Sequence, residues 1–282
     1  MADGTGQDIP LVAVAHGSRD PRAAATVEAL LDEVRLARPG LPVRTAYLDH
    51  AAPSLGQALS GLDAAVVLPL LLTEAYHSRV DLPAALNEAR ARDPRLRVRY
   101  GATLGPHPLL LATLERRLAE AGVVIGDPDT AVVLVSAGSS DPRANGVVAR
   151  MARDWGRPTF SGAASSFSTG SSFSGGSGVE GQGGGSGVEG RGWWAVTAAY
   201  ASAAEPTPAR AVALLREAGA PRVAVAPYLL APGYFADKVR RTTLEAGADV
   251  VADVLGPAPE LAEVLLERYA TAAHAPAGAA AS

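Results

Sequence analysis

Two imidazoles and a carboxylate each follow a short apolar run in the first half of this chain. His16 comes after Leu11–Ala15, Asp49 after Pro42–Leu48 and His77 after Ala64–Leu72. If these runs are adjacent parallel strands, their carboxyl ends open on one crevice, and side chains far apart in sequence converge there. Such a donor set is hard to borderline and suits Fe2+, Co2+, Ni2+ or Zn2+. A neutral imidazole near pH 7 can also accept a proton, so the same residues suit acid–base work. Arg19 and Arg22 flank the Gly17-Ser18 turn and Arg79 lies two residues beyond His77. The turn precedes a helix start, a place that favours anions. Metal ligands beside guanidinium groups suggest a polycarboxylate substrate meeting a divalent metal.

Any one of these histidines is as well explained as a hydrogen-bonded loop residue, but an internal repeat separates the alternatives. Residues 12–23 read VAVAHGSRDPRA and residues 133–144 read VLVSAGSSDPRA. Asp20-Pro21-Arg22 recurs as Asp141-Pro142-Arg143, whereas His16 is matched by Ala137, Asp49 by Ser202 and His77 by Phe235. Arg19 and Arg79 are replaced by Ser140 and Asp237, while Arg22 keeps a partner in Arg143. The fold needs the shared Gly, Ser, Asp and Pro; the chemistry belongs to the first copy. His50 adjoins Asp49 and could assist it, but it reads first as an exposed loop residue, because adjacent side chains usually point apart. His107, between two prolines at a helix start, is accounted for structurally, and His274 lies in the tail. Tyr234 and Phe235 are candidates for an apolar wall facing the site, whereas Tyr228, inside a strand, reads as core.

The elements that must position these residues alternate strictly. Asp20 reads as an N-cap with Pro21 at the first helical position, and Val27, Leu30, Leu31 and Val34 form the apolar stripe of the helix that follows. Further strands are expected at Leu96–Thr103, Thr130–Ser136, Trp194–Tyr200, Arg222–Leu230 and Asp249–Leu255, with helices between them. This pattern predicts an α/β protein of two duplicated, doubly wound parallel-sheet domains with the active-site cleft between them. The expected division is 1–125 for the copy carrying the metal site and 126–282 for the degenerate copy, each long enough to bury its own core. The offset between copies is 121 residues from His16 to Ala137 and 153 from Pro53 to Pro206, so the second copy carries about 32 more. They form a Gly/Ser tract at 161–192, expected to be a surface loop.

Composition bounds the alternatives. The chain of 282 residues is 48% apolar and 19% charged and has no cysteine, so thiolate metal sites, iron–sulfur ligation and disulfides are excluded. A net charge of −4 without a basic cluster gives no support for nucleic-acid binding. No apolar run approaches a membrane span and no signal-peptide pattern opens the chain, so a cytoplasmic protein, monomeric or weakly self-associating, is expected. No Walker sequence or GxGxxG follows a strand, and no organic cofactor is expected.

The motifs HGSRDP (16–21), YLDHAAPSL (47–55), PLLLTEAYHSRVDLP (69–83) and LGPHPLL (104–110), in this order, resemble the class II tetrapyrrole chelatases, the sirohydrochlorin ferrochelatases and related small cobaltochelatases. The resemblance covers nearly the whole chain, since two-domain members of that family look like fused copies of the single-domain enzyme. It implies that His16 and His77 hold the metal and take part in proton removal. It also implies that Asp49 assists where the family usually has Glu, one methylene longer. Ser18, Arg19 and Arg79 would bind the substrate carboxylates. PGYF (232–235) is similar to the family's third-strand motif with its histidine lost. The implied reaction is insertion of a divalent metal, Fe2+ in the first instance, into sirohydrochlorin. Cobalt insertion on the cobalamin branch and a non-catalytic metal or tetrapyrrole carrier are the alternatives.

Overall fold

The computed structural model describes residues 8–73, 81–157 and 192–275. The Gly/Ser tract falls outside this range except for Gly192. In the first half, β1 (Leu11–Ala15), α1 (Pro21–Ala37), β2 (Val43–Tyr47), α2 (Leu55–Leu59), β3 (Ala64–Pro69), α3 (Leu82–Arg92), β4 (Arg97–Tyr100) and α4 (Pro108–Glu120) alternate. The second half repeats the order with β5 (Thr130–Ser136), α5 (Pro142–Trp155), β6 (Ala195–Tyr200), α6 (Pro208–Glu217), β7 (Arg222–Tyr228), α7 (Tyr234–Glu245), β8 (Val250–Val251) and α8 (Pro259–His274). The sheets run β2-β1-β3-β4 and β6-β5-β7-β8, and every pairing is parallel. Two doubly wound α/β units result, as the alternation requires.

Strands covered on both faces are apolar throughout, and side-chain alternation sorts them into layers. Val12 and Val14 pack outward with Leu55, Leu59, Leu82 and Leu86 of α2 and α3. Val133, Val135, Val223 and Val225 pack with Ala211, Val212, Leu215 and Val239 of α6 and α7. The opposite faces of both sheets meet in one core, in which Leu11, Leu68, Val132 and Leu134 lie with Leu114, Leu118, Leu261 and Leu265. The closing helices cross over to build it: α4 packs on β7, and α8 packs on α1, β3 and β4. Each half therefore buries a layer of its own, but the largest core is shared between them, which the length alone did not indicate. The residue 125/126 division falls in the loop between α4 and β5, but the packing crosses it.

Several strands end earlier than their apolar runs. β3 stops at Pro69 instead of Leu72, and β8 keeps only Val250–Val251 of the expected Asp249–Leu255. Each is limited by its neighbour: β3 runs out of partner where β1 turns at Ala15, and β8 is an edge paired with β7 alone. Among the described residues, no helix is long and apolar enough to cross a membrane.

Candidate active site

The chain leaving β1 makes one tight construction. Gly17 has φ +95°, and a Cβ there would lie 1.7 Å from the Asp49 carbonyl oxygen, so only glycine fits. This close approach lets the Asp49 amide donate to the His16 carbonyl at 2.9 Å. The Ser18 hydroxyl oxygen accepts from the Asp20 amide at 3.0 Å, and Asp20 in turn caps α1 by accepting from the Arg22 amide at 2.9 Å. The second half repeats the geometry at Gly138, Ser139, Asp141 and Ser202, where the Ser202 amide donates to the Ala137 carbonyl at 3.0 Å. His16 and Ala137 thus occupy equivalent places on equivalent scaffolds.

These turns face one another across a cleft of about 1360 Å³. On the first-half wall lie His16, Ser18, Arg19 and His50, with Leu70–Thr73 behind them. His16 is half-buried, its Nδ1 3.3 Å from the Gly17 carbonyl oxygen. Arg19 is exposed and makes no hydrogen bond or ion pair with a described residue, so its guanidinium is uncommitted. The second-half wall is uncharged through Ala137, Ser139, Asn145 and Ser202, and apolar through Leu229–Pro232, Tyr234 and Phe235. Tyr234 and Phe235 are 74% and 40% exposed and meet edge to face at 5.7 Å, which leaves an aromatic rim on that wall. At the floor Tyr228 is 1% exposed, and its hydroxyl donates to the Leu72 carbonyl across the two halves at 3.0 Å. Burial pushes this phenol well above its ordinary pKa, so it remains a donor. Tyr228 is core, as its place in a strand indicated, and also closes the cleft.

His77 and Arg79 lie outside the described residues. Asp49 is placed beside His16 through the backbone, but its carboxylate turns to His50. Its Oδ1 accepts from the His50 amide at 2.8 Å and its Oδ2 lies 3.2 Å from His50 Nε2. A proton on Nε2 then faces the carboxylate and leaves Nδ1 as the accepting nitrogen. His50 is an exposed loop residue, as expected, but its ring does not point away from Asp49. His50 has φ +58°, in the left-handed region, and Ala203 holds the same φ in the second copy. Nothing in the local sequence distinguishes that backbone state. His107 behaves as its position suggested: Nδ1 accepts from the Leu109 amide at 3.2 Å as the N-cap of α4, and Nε2 donates to Glu267 at 2.9 Å. Among the described residues no three His, Asp or Glu side chains cluster tightly enough to hold a metal.

The CbiX family profile matches residues 10–121 and 187–272. A sirohydrochlorin cobaltochelatase of Priestia megaterium is 34% identical over 152 residues, 50% of this chain and 48% of that protein. A sirohydrochlorin ferrochelatase of the same organism is 30% identical over 135 residues, 46% of this chain and 50% of that protein. The chain spans about half the length of the curated relatives it matches. The structure of SirB from Bacillus subtilis with Fe3+ matches with a TM-score of 0.70 at 20% identity, covering 95% of this chain and 96% of that one. That of CbiX, described as the terminal enzyme of sirohaem biosynthesis in denitrifying bacteria, matches at 0.62 and 21% over 93% and 99%. At these identities the structural likeness speaks for the fold. The family match over both halves, with the motifs around His16 inside it, makes this chain a member of the CbiX family, in line with its resemblance to the class II tetrapyrrole chelatases.

Proposed function

We propose that this protein inserts a divalent metal into sirohydrochlorin, with Fe2+ giving sirohaem as the first reading. The observation that carries the proposal is the asymmetric cleft. One wall bears the His16 imidazole and the uncommitted Arg19, while the equivalent turn opposite bears Ala137 and Ser140. A flat, polyanionic macrocycle needs such a site, with a metal donor and a cation on one face and a neutral, partly aromatic surface on the other. Relatives named as ferrochelatase and cobaltochelatase support the reaction class.

Metal insertion exchanges water on the incoming M2+ for four pyrrole nitrogens, and two pyrrole N–H protons must leave. In this reading the imidazoles of His16 and His77 are the metal donors and the first proton acceptors. Asp49 holds the His50 ring so that Nδ1 can accept a proton at the same wall. Ser18, Arg19 and Arg79 hold the peripheral carboxylates by charge-assisted hydrogen bonds. Tyr234 and Phe235 pack against the ring from the other side.

Cobalt is the second reading, favoured by the 34% identity to the Priestia megaterium cobaltochelatase against 30% to the ferrochelatase. Anaerobic incubation with sirohydrochlorin and either Fe2+ or Co2+, followed by absorbance, tests both. Faster turnover with one metal at equal free concentration identifies it. Tight binding of metal and macrocycle without turnover would make the protein a carrier instead.

A further inference from the structure

The two walls of the cleft are joined at the rim by Arg22. Its Nη2 lies 2.6 Å from Asp20 Oδ2, on its own wall, and 2.6 Å from Asp237 Oδ2 opposite. Nη1 reaches Asp237 Oδ1 at 3.4 Å, and Nε lies 3.1 Å from both Asp20 oxygens. The backbones also approach here: a Cβ on Gly233 would come within 3.9 Å of the Asp20 Cβ. Each end of the bridge is tied to a functional surface. Asp20 caps α1 and bonds back to the Ser18 hydroxyl in the turn that carries His16. Asp237 sits in the first turn of α7, three residues after Tyr234 and two after Phe235, so a rigid helix turn links it to the aromatic rim.

We propose that Arg22 is a positioning residue which, through Asp237, sets the width of the cleft between the His16 turn and the Tyr234–Phe235 rim. It thereby seats a flat macrocycle at a fixed distance from the metal-holding wall. This rests on the chelatase reading for the identity of the macrocycle, but not for the bridge. Arg19 and Arg22, three residues apart, then have different tasks. Arg19 has no partner among the described residues and is open to a substrate carboxylate. Arg22 already spends all three of its nitrogens on two carboxylates, which a substrate would have to displace. Arg143, its counterpart, makes no ion pair with a described residue, so the bridge is a property of this rim and not of the repeated motif. The pair is solvent-exposed and contributes little to global stability, so its loss should change the cleft while leaving the melting temperature nearly unchanged.

The chain has no cysteine, so spin labels at Ala25→Cys on α1 and Leu244→Cys on α7 report the separation of the walls without any ligand. Pulsed EPR should give a narrow distance distribution, broadened to the same extent by Arg22→Met, by Asp237→Asn and by both together. An unchanged distribution in Arg22→Met overturns the proposal, whatever the substrate is. With sirohydrochlorin and Co2+, each single variant and the double should raise the macrocycle KM by roughly tenfold. Expected alongside are a smaller change in kcat, unchanged Co2+ binding and partial rescue by Arg22→Lys. If Arg22→Met weakens macrocycle binding while Asp237→Asn tightens it, Arg22 is a direct carboxylate ligand and the proposal is wrong. If the wild type neither binds nor metallates the macrocycle, the chelatase reading fails, and the EPR result decides the bridge by itself.

Discussion

The Asp49 amide donates to the His16 carbonyl at 2.9 Å, as the Ser202 amide does to the Ala137 carbonyl at 3.0 Å. One backbone bond, made twice, brings the ends of neighbouring strands together. In one copy the residue whose carbonyl accepts this bond is His16, and in the other it is Ala137. The scaffold therefore accepts alanine where the first copy has histidine, and substitutions in the first copy can be designed on the second.

His16→Ala should abolish metal insertion, with a fall in turnover of about a hundredfold or more. It should change stability by no more than about 1 kcal/mol, because the equivalent turn already accepts Ala137. Turnover and urea unfolding measured on the same preparation separate the effects. Co2+ titration should lose its one strong site in this variant and keep it in Phe235→Ala. His77→Ala, matched by Phe235, should follow His16→Ala.

Gly17→Ala and Gly138→Ala should both destabilise the protein. The left-handed φ alone costs about 1–2 kcal/mol, and the added Cβ meets the carbonyl oxygen of Asp49 or Ser202. Only Gly17→Ala should lower turnover beyond what lost stability explains, since it displaces His16 from Asp49. Equal losses of activity, measured where both variants remain folded, would contradict the placement of the chemistry in the first half.

Asp49→Ala and His50→Ala should reduce turnover by the same factor, on the order of 10- to 100-fold, and the double variant should be no worse. In the proposed mechanism the carboxylate acts through the ring it holds, so removing either group removes the pair. Additive losses in a double-mutant cycle would mean that Asp49 works on the reaction independently of His50.

Arg116 on α4 binds Glu260 on α8 through two hydrogen bonds of 3.0 Å, which ties the crossed closing helices together. Burial raises the Glu260 pKa, but the hydrogen bonds and charge of Arg116, with its own backbone amide and the nearby Arg117, together hold the carboxyl below its ordinary value. A depressed carboxyl pKa adds stability above the unfolded value, about 4.3, and that stability is lost as pH falls through the folded value. Glu260→Gln should therefore cost about 1 kcal/mol near pH 7, and the difference from wild type should shrink as pH drops below about 4. Urea midpoints measured across this range check it.

Sequence by itself determined the element order, the parallel sheets and the place of His16. Apolar runs such as Leu11–Ala15 and Thr130–Ser136, and caps such as Asp20-Pro21 and Asp141-Pro142, act over a few residues and carry their own signal. The repeat added the comparison of His16 with Ala137, and with it the proposal of which copy carries the chemistry. Tertiary structure alone decided that α4 and α8 cross over to make one core, because an amphipathic stripe specifies burial without naming the sheet that buries it. It also decided that His50, on a left-handed backbone that no local pattern marks, turns to Asp49. Finally, it decided that Arg22 meets Asp237, 215 residues away, because the partner of a charge depends on which surfaces the finished fold brings face to face.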